Sequence, residues 1–181
     1  MPPRREGTGF VSRSKETLIL SRTPNATSTQ EGDVLKHRLI HPKINEILAR
    51  AGHHATVLIA DGNYPASSKK GPNAEVVSMN LMPGVITCDQ ALQAVISALP
   101  VEQIRTMKSE TSGPYALDGD PPVWEDYRTS LRAAGVDLQI TPVEKWEFYE
   151  AVATADHVLT IQTADQQRYA NILLTVGVRM D

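Results

Sequence analysis

The sequence predicts an α/β fold: a single three-layer α/β/α domain with a largely parallel, mixed central sheet. Strand-like and helix-like stretches alternate from Leu35 to the end of the chain, which is the pattern of helices covering a sheet. The stretch at residues 55–60 is an apolar run, typical of a strand buried on both faces. A length of 181 residues also suits one domain with one core.

Helices are predicted from their start and stop signals. The first opens at His41-Pro42 and ends before Gly52, where we expect a left-handed cap. The second opens at Thr87, which forms a capping box with Gln90. The third covers residues 123–134 and stops at Gly135. A second capping box at residues 141–144 predicts a fourth helix through about residue 153.

Strands and loops occupy the segments between these helices. A polar surface loop is predicted at residues 107–122, and no internal repeat is visible. Strands are predicted at residues 55–60, 76–79, 136–140, 157–162 and 172–178.

The first 34 residues differ in composition from the rest. They are rich in Arg, Ser, Thr and Gly, and their one brief apolar patch is at residues 18–20. Such a segment buries too little apolar surface to offset its ordering entropy. We therefore expect a disordered extension at residues 1–34 and a folded domain at residues 35–181, with a transit peptide as an alternative reading of the extension.

Charge and cysteine content exclude several classes of protein. A net charge of −3 gives no general attraction to phosphates or anionic lipid, so we expect neither a nucleic-acid nor a membrane partner. The single Cys88 cannot form an internal disulfide and lacks the spacing of a zinc site. We expect a cytoplasmic protein without a structural metal, and we interpret Cys88 as a small buried residue.

Polar side chains at three strand or helix ends are candidates for chemistry. His53 and His54 follow a predicted helix, Asp61 follows a buried strand, and Tyr169 and Asn171 precede the last strand. A histidine with a pKa near 6.5 can act as an acid or a base, but it can also cap a helix. Asp61 can be a turn former, and the Tyr–Asn pair can recognise hydroxyl groups or belong to a hydrogen-bonded edge.

Motifs for several common reactions are missing from the sequence. There is no dinucleotide-binding glycine pattern, no phosphate-binding loop and no serine nucleophile elbow.

At these polar residues the chain resembles the ribose pyranase/fucose mutarotase (RbsD/FucU) family, over nearly all of residues 35–178. Each matching piece is modest alone, but their joint order makes a chance match improbable. The pieces are Gly52-His53 with Asp61 eight residues after the histidine, NYPASS (63–68), PVWEDY (122–127), EKWEFYE (144–150) and YANILL (169–174).

The resemblance implies exchange of the anomers of a free monosaccharide such as L-fucose or D-ribose, without cofactor or metal. It implies His53 as the catalytic acid/base and Asp61, Tyr169 and Asn171 as sugar-binding residues. Lys145, which stands where the family has Arg or His, is expected to contribute a sugar-binding donor. The family also implies a ring-shaped homo-oligomer, a decamer, with sites near the subunit contacts.

Two other functions remain open at this point. A non-catalytic sugar-binding protein attached to uptake or catabolism would use Asp61, Tyr169 and Asn171 but would not need His53. A purely structural ring-forming protein would leave the polar residues at the strand ends without a purpose. Sugar identity is also open: the pieces at residues 63–65 and 148–150 resemble the fucose type, and the piece at residues 169–171 resembles the ribose type. The fucose type is favoured.

Overall fold

A computed structural model describes Met1 and residues 35–180. The chain divides between Asp33 and Val34, and the fold below is that of the unit beginning at Val34. The expected disordered extension at residues 2–34 lies outside the described residues. Within the described residues, no helix has the length and apolar character of a membrane span.

Helices and strands alternate along this unit, as the sequence predicts. The elements are α1 (Pro42–Arg50), β1 (Thr56–Ala60), β2 (Glu75–Ser78), α2 (Cys88–Ile96), β3 (Val101–Met107), α3 (Val123–Ala133), β4 (Ile140–Val143), α4 (Lys145–Val152), β5 (His157–Gln162) and β6 (Ile172–Val176).

The strands form one mixed sheet in the order β2-β5-β1-β6-β3-β4. Strand β6 runs antiparallel to both of its neighbours, β1 and β3, while the other pairs are parallel. Five strands therefore run in one direction and one strand in the other. The predicted largely parallel, mixed sheet is confirmed.

Helices cover both faces of the sheet, and the sheet separates two apolar clusters. In β1, Val57 and Ile59 pack with α1, α2 and α3, whereas Leu58 and Ala60 pack with Phe148 of α4. This alternation follows from the two-residue period of a strand, which sends successive side chains to opposite faces. The predicted three layers are therefore present, with three helices on one face and α4 on the other.

Strand β3 has no counterpart in the sequence prediction. It contains Glu102, Gln103 and Arg105, so neither an apolar run nor a clean alternation marks it. It forms because Ile104 and Thr106 are buried between the two neighbouring strands, β6 and β4. Pairing with β6 and β4 makes this segment a strand, and the hydrophobic pattern of the sequence does not reveal such pairing.

The predicted capping box at residues 141–144 is wrong. Thr141, Pro142 and Val143 belong to β4, and α4 begins one residue after Glu144, whose side chain makes no cap. Pro142 is accommodated because β4 is an edge strand, where a missing N–H costs no ladder bond. The strand expected at residues 136–140 accordingly starts only at Ile140.

Of the other turn and cap predictions, three are confirmed and one is wrong. Pro42 opens α1, Thr87 and Gln90 form the expected capping box, and Gly135 takes a positive φ of 72° after α3. The left-handed cap expected at Gly52 is wrong, because α1 ends in extended backbone. The positive φ of 69° occurs at His54 instead.

The imidazole of His157 is completely buried at the start of β5. Its Nδ1 lies 3.0 Å from the Gly71 backbone nitrogen and 2.8 Å from the Val152 oxygen, and its Nε2 lies 2.9 Å from the Leu159 oxygen. Burial lowers the pKa of His157 below its ordinary value, and this outweighs the backbone hydrogen bonds that favour the charged ring. The fold therefore holds this histidine in its neutral form.

We predict that His157 makes the fold less stable as the pH falls below about 6.5, the ordinary histidine pKa. In that range the unfolded chain binds a proton that the folded chain resists, so the free energy of unfolding decreases. The variant His157→Asn should lose about 1–3 kcal/mol at neutral pH, because buried backbone groups lose their partner. When the pH is lowered from neutral, the free energy of unfolding of this variant should decrease by less than that of the wild type.

Urea unfolding of both proteins at about pH 7.5 and about pH 5.5 measures this difference. Asp61 is present in both proteins, so its contribution to the pH dependence cancels in the comparison. Its raised pKa makes the folded chain more stable as the pH falls over part of the same range. Equal acid sensitivity in the two proteins would contradict the prediction.

Candidate active site

A cavity lined mostly by polar side chains lies at one edge of the sheet, where strands begin and end. Parallel strands β1, β3 and β4 end at this edge, and antiparallel β6 begins there. The cavity has a volume of about 460 Å³, which is within the range of small-molecule sites. It is lined by Asp61, Asn63, Tyr64, Met107, Glu110, Tyr115, Lys145, Tyr149, Arg168, Tyr169 and Asn171.

Asp61 and Asn171 form a reciprocal pair at the floor of this cavity. The Asp61 backbone N–H donates to Asn171 Oδ1 at 2.9 Å, and Asn171 Nδ2 donates to Asp61 Oδ2 at 2.8 Å. Both side chains are buried. The pair forms because Ile59 of β1 is opposite Ile172 of β6, so the residues just beyond these strands meet at the same edge.

The carboxyl group of Asp61 has an altered acidity. Burial raises its pKa to about 6, and the negative charge of Asp165 acts in the same direction. Hydrogen bonds from the backbone N–H groups of Asn63 and Tyr64 and from the Asn171 amide oppose the increase. Near neutral pH this group can therefore accept hydrogen bonds as an anion or take up a proton at modest cost.

Tyr169 organises another part of the cavity lining. It has a positive φ of 61°, and its hydroxyl donates to the Tyr115 oxygen at 2.9 Å and accepts from the Glu110 N–H at 3.2 Å. The indole N–H of Trp124 donates to the Tyr169 oxygen at 3.2 Å. The phenol thus ties the loop after β3 to the segment that leads into β6.

Lys145 reaches the cavity from the first residue of α4. Its Nζ lies 3.3 Å from Glu110 Oε1, and both side chains are partly exposed. The ion pair presents a donor and an acceptor side by side at the mouth of the cavity. Because both groups are partly solvated, the pair adds little stability and remains free to exchange partners.

Tyrosine rings supply the apolar part of the lining. The rings of Tyr64 and Tyr149 lie 5.8 Å apart between centroids, and Tyr64 donates its hydroxyl to the Lys69 oxygen at 2.9 Å. Burial raises the pKa of Tyr64 far above its ordinary value, so its phenol stays protonated. Aromatic faces beside hydrogen-bonding groups suit a ligand with both C–H and hydroxyl surfaces.

The cavity therefore includes four of the five predicted site residues: Asp61, Lys145, Tyr169 and Asn171. Glu110, Tyr115 and Arg168 also line the cavity and were not among the predicted site residues. Glu110 and Tyr115 lie in a polar loop without periodicity, so no local pattern marks them. Tyr64 and Tyr149 were visible only as parts of the family motifs.

His53 lies at the opposite edge of the sheet. It precedes β1, whereas Asp61 follows it, and five residues at about 3.3 Å each separate the two ends by about 16 Å. His53 Nε2 lies 2.8 Å from Glu102 Oε2, and His54 Nδ1 lies 3.2 Å from Glu102 Oε1. One copy of the chain therefore does not bring His53 to its own cavity.

Chemically, the cavity offers a carboxylate, an amide, phenols, and an ammonium–carboxylate pair around a partly aromatic wall. This set matches a small polyhydroxylated ligand, because each hydroxyl group both donates and accepts hydrogen bonds. Among the described residues, the one group of three side chains suited to a metal ion is His53, His54 and Glu102, outside the cavity. The sequence spacing did not predict this group, because Glu102 is distant along the chain.

Comparison with known proteins gives a consistent match. The model of the RbsD / FucU transport protein family matches residues 34–179. The chain is 31% identical over 146 residues to the human fucose mutarotase, covering 77% of this chain and 90% of that protein. It is 30% identical over 144 residues to the D-ribose pyranase of Geobacillus kaustophilus strain HTA426, covering 79% of this chain and 93% of that protein.

A solved structure shares the fold. The fucose mutarotase of Streptococcus pneumoniae, crystallised in complex with L-fucose, superimposes with a TM-score of 0.64 at 23% identity. The match covers 81% of this chain and all of that one.

We predict that Asn171→Ala raises the pKa of Asp61 further above about 6. The variant removes the amide N–H that stabilises the carboxylate, and it leaves the Asp61 backbone N–H without its acceptor. The same loss should lower the free energy of unfolding by about 1–3 kcal/mol. A pH titration of the Asp61 carboxyl carbon by NMR measures the pKa.

The matched control is Asn63→Ala. Asn63 also lines the cavity, but it bonds Asp61 through its backbone N–H, which alanine retains. The pKa of Asp61 should therefore stay near its wild-type value in this control. An equal pKa of Asp61 in the two variants would show that the Asn171 amide does not control its acidity.

Proposed function

The chain belongs to the RbsD/FucU family, and on that premise we propose that it is a monosaccharide mutarotase. It interconverts the anomers of a free sugar, such as L-fucose or D-ribose, by proton transfer. The observation that carries the proposal is the cavity at the sheet edge, where Asp61, Tyr169 and Asn171 converge with Lys145. The reaction needs proton donors and acceptors but no cofactor.

The cavity residues bind and orient the sugar. Asp61 accepts hydrogen bonds from sugar hydroxyl groups through its carboxylate, and Asn171 holds that carboxylate in place. Lys145 donates to a hydroxyl oxygen, and Glu110 beside it accepts. Tyr64 and Tyr149 cover the apolar face of the ring. A site matched to hydroxyl groups in this way discriminates between sugars that differ at one position.

His53 is the proposed acid/base, and it acts in the site of a neighbouring copy. His53 lies at the far end of β1 from the cavity of its own chain. In a ring, however, head-to-tail contacts bring different surfaces of successive copies together. Such contacts would place the edge with His53 against the next copy's cavity. A ring-shaped homo-oligomer, with a decamer as the expected size, is therefore part of the proposal. A cytoplasmic location is also proposed.

Anomer exchange then requires two balanced proton movements in each direction. In ring opening, a proton is delivered to the ring oxygen as the bond from that oxygen to the anomeric carbon breaks. A proton is removed from the anomeric hydroxyl as its oxygen becomes the carbonyl oxygen. Closure on the other face of the carbonyl reverses both transfers. His53 carries one proton, and Asp61, with a pKa near 6, is placed to assist the other.

Exchange NMR on unlabelled sugars tests the proposal. Addition of the protein should broaden or exchange the two anomeric proton signals of its sugar, and not those of unrelated sugars. L-fucose and D-ribose are the first candidates, because the human and Geobacillus kaustophilus relatives are named for them. Binding without accelerated exchange would support the alternative of a non-catalytic sugar-binding protein.

We predict that His53→Ala lowers the exchange rate by about 10²–10⁴-fold, the usual contribution of a positioned acid/base group. The same measurement on His54→Ala is the control, and it should retain most of the activity. If His54→Ala were inactive and His53→Ala active, the roles would have to be exchanged.

Mixing variants tests whether His53 serves a neighbouring copy. Asp61→Asn and His53→Ala should each be inactive alone. Co-assembled oligomers of the two should recover activity, because some contacts pair an intact His53 with an intact Asp61. A mixture that stays inactive, although it assembles, would show that both residues act within one chain.

We predict that Tyr169→Phe lowers the exchange rate about tenfold and weakens sugar binding to a similar degree. The variant loses the two hydrogen bonds that hold the loop after β3, each worth about 0.5–1.5 kcal/mol. Exchange NMR and a binding titration measure both quantities. A thousandfold loss of rate at unchanged sugar affinity would instead make Tyr169 a proton-transfer group.

A further inference from the structure

Three metal-ligating side chains converge at the sheet edge opposite the cavity. His53, His54 and Glu102 each offer a ligand atom, and these atoms all lie within 4.8 Å of one another. The two carboxylate oxygens of Glu102 are divided between the histidines, one at 2.8 Å from His53 Nε2 and one at 3.2 Å from His54 Nδ1. Within a single copy of the chain, these side chains are between 35% and 70% exposed.

The backbone holds this arrangement in a specific conformation. His54 has a φ of 69°, which is sparsely populated for a residue other than glycine. Its N–H donates to the Val176 oxygen at 3.0 Å, which fixes the turn against the end of β6. The two imidazole rings stack at 3.8 Å between centroids. Residues held in strained backbone conformations often belong to functional sites.

We propose that His53, His54 and Glu102 bind a divalent transition-metal ion of the Zn²⁺ class. Two imidazole nitrogens and a carboxylate form a donor set that zinc uses in proteins, with a fourth position left for water. Zinc–ligand bonds of about 2.0–2.2 Å place ligand atoms about 3–3.5 Å apart, and the ligand atoms of this cluster lie within 4.8 Å of one another. Rotation of the side chains would bring them to the distances of a coordinated ion.

His54 lines a small cavity together with Arg105 and Asp156, which carry opposite charges. Glu102 supplies the negative charge that the ion neutralises directly.

Binding of the ion would inhibit the enzyme, and this consequence rests on the proposed function. His53 Nε2 is both the nearest ligand atom to Glu102 and part of the proposed acid/base group. A coordinated nitrogen has no lone pair for a proton, so the loaded cluster would stop proton transfer. Zinc thereby acts as a reversible inhibitor of a reaction that itself needs no metal.

The test uses the full chain after treatment with a chelator. Equilibrium dialysis and isothermal titration with Zn²⁺ measure binding in the absence of sugar, and Co²⁺ absorption reports the ligand set. We expect one ion per chain. His54→Asn, which tolerates a positive φ and preserves the turn, should weaken binding about tenfold or more. Glu102→Gln should do the same.

The matched control is His41→Asn, which removes an imidazole outside the cluster and preserves the cap of α1. Its zinc affinity should equal that of the wild type. Equal affinity in His54→Asn and the wild type, or the absence of stoichiometric binding, would overturn the proposed site.

Exchange rates measured with and without Zn²⁺ separate this proposal from the proposed function. Zinc should abolish exchange in the wild type, a chelator should restore it, and His54→Asn should resist the inhibition. A protein that binds zinc at these residues but is inactive without it would overturn the proposed function alone. Full activity with the site loaded would overturn the inhibition.

Discussion

Strand β6 runs against its two neighbours, and the geometry of the cavity depends on that reversal. Because β6 begins where β1 ends, Asn171 meets Asp61 at the same edge and exchanges two hydrogen bonds with it. Strand β6 is fully buried between β1 and β3, so its apolar residues fix its position in the sheet. A parallel β6 would carry its preceding residues to the other edge, and the floor of the cavity would not exist.

Burial at that floor has an electrostatic cost. Asp61 and Asp165 are both buried at the same edge, and they repel each other. The fold supports Asp165 through N–H groups: the Cys88 N–H at the start of α2 donates at 2.9 Å, as does the Gln167 N–H. A helix N-terminus favours a negative charge there. Burial raises the pKa of Asp61 to about 6, and the charge of Asp165 acts in the same direction, so its proton becomes available near neutral pH.

Much of the fold could be predicted from local signals, and the exceptions have physical causes. The Thr87–Gln90 capping box is a short-range interaction, so the sequence shows it directly. Strand β3 depends on pairing with both neighbours and carries charged residues, so no pattern marked it. In the candidate site, Asp61 was predictable from its place at a strand end. Glu110 approaches Lys145 only through the folding of a loop, which a sequence pattern does not encode.

Pro142 lies in β4, one of the two edge strands of the sheet. The Val143 oxygen accepts from the Lys108 N–H at 2.8 Å, so Val143 points its backbone groups at β3. Successive residues of a strand alternate, and Pro142 therefore faces outward, where its ring replaces an N–H. Another strand arriving at this edge would find an interrupted row of donors. This edge strand consequently resists the strand-to-strand pairing that leads to aggregation.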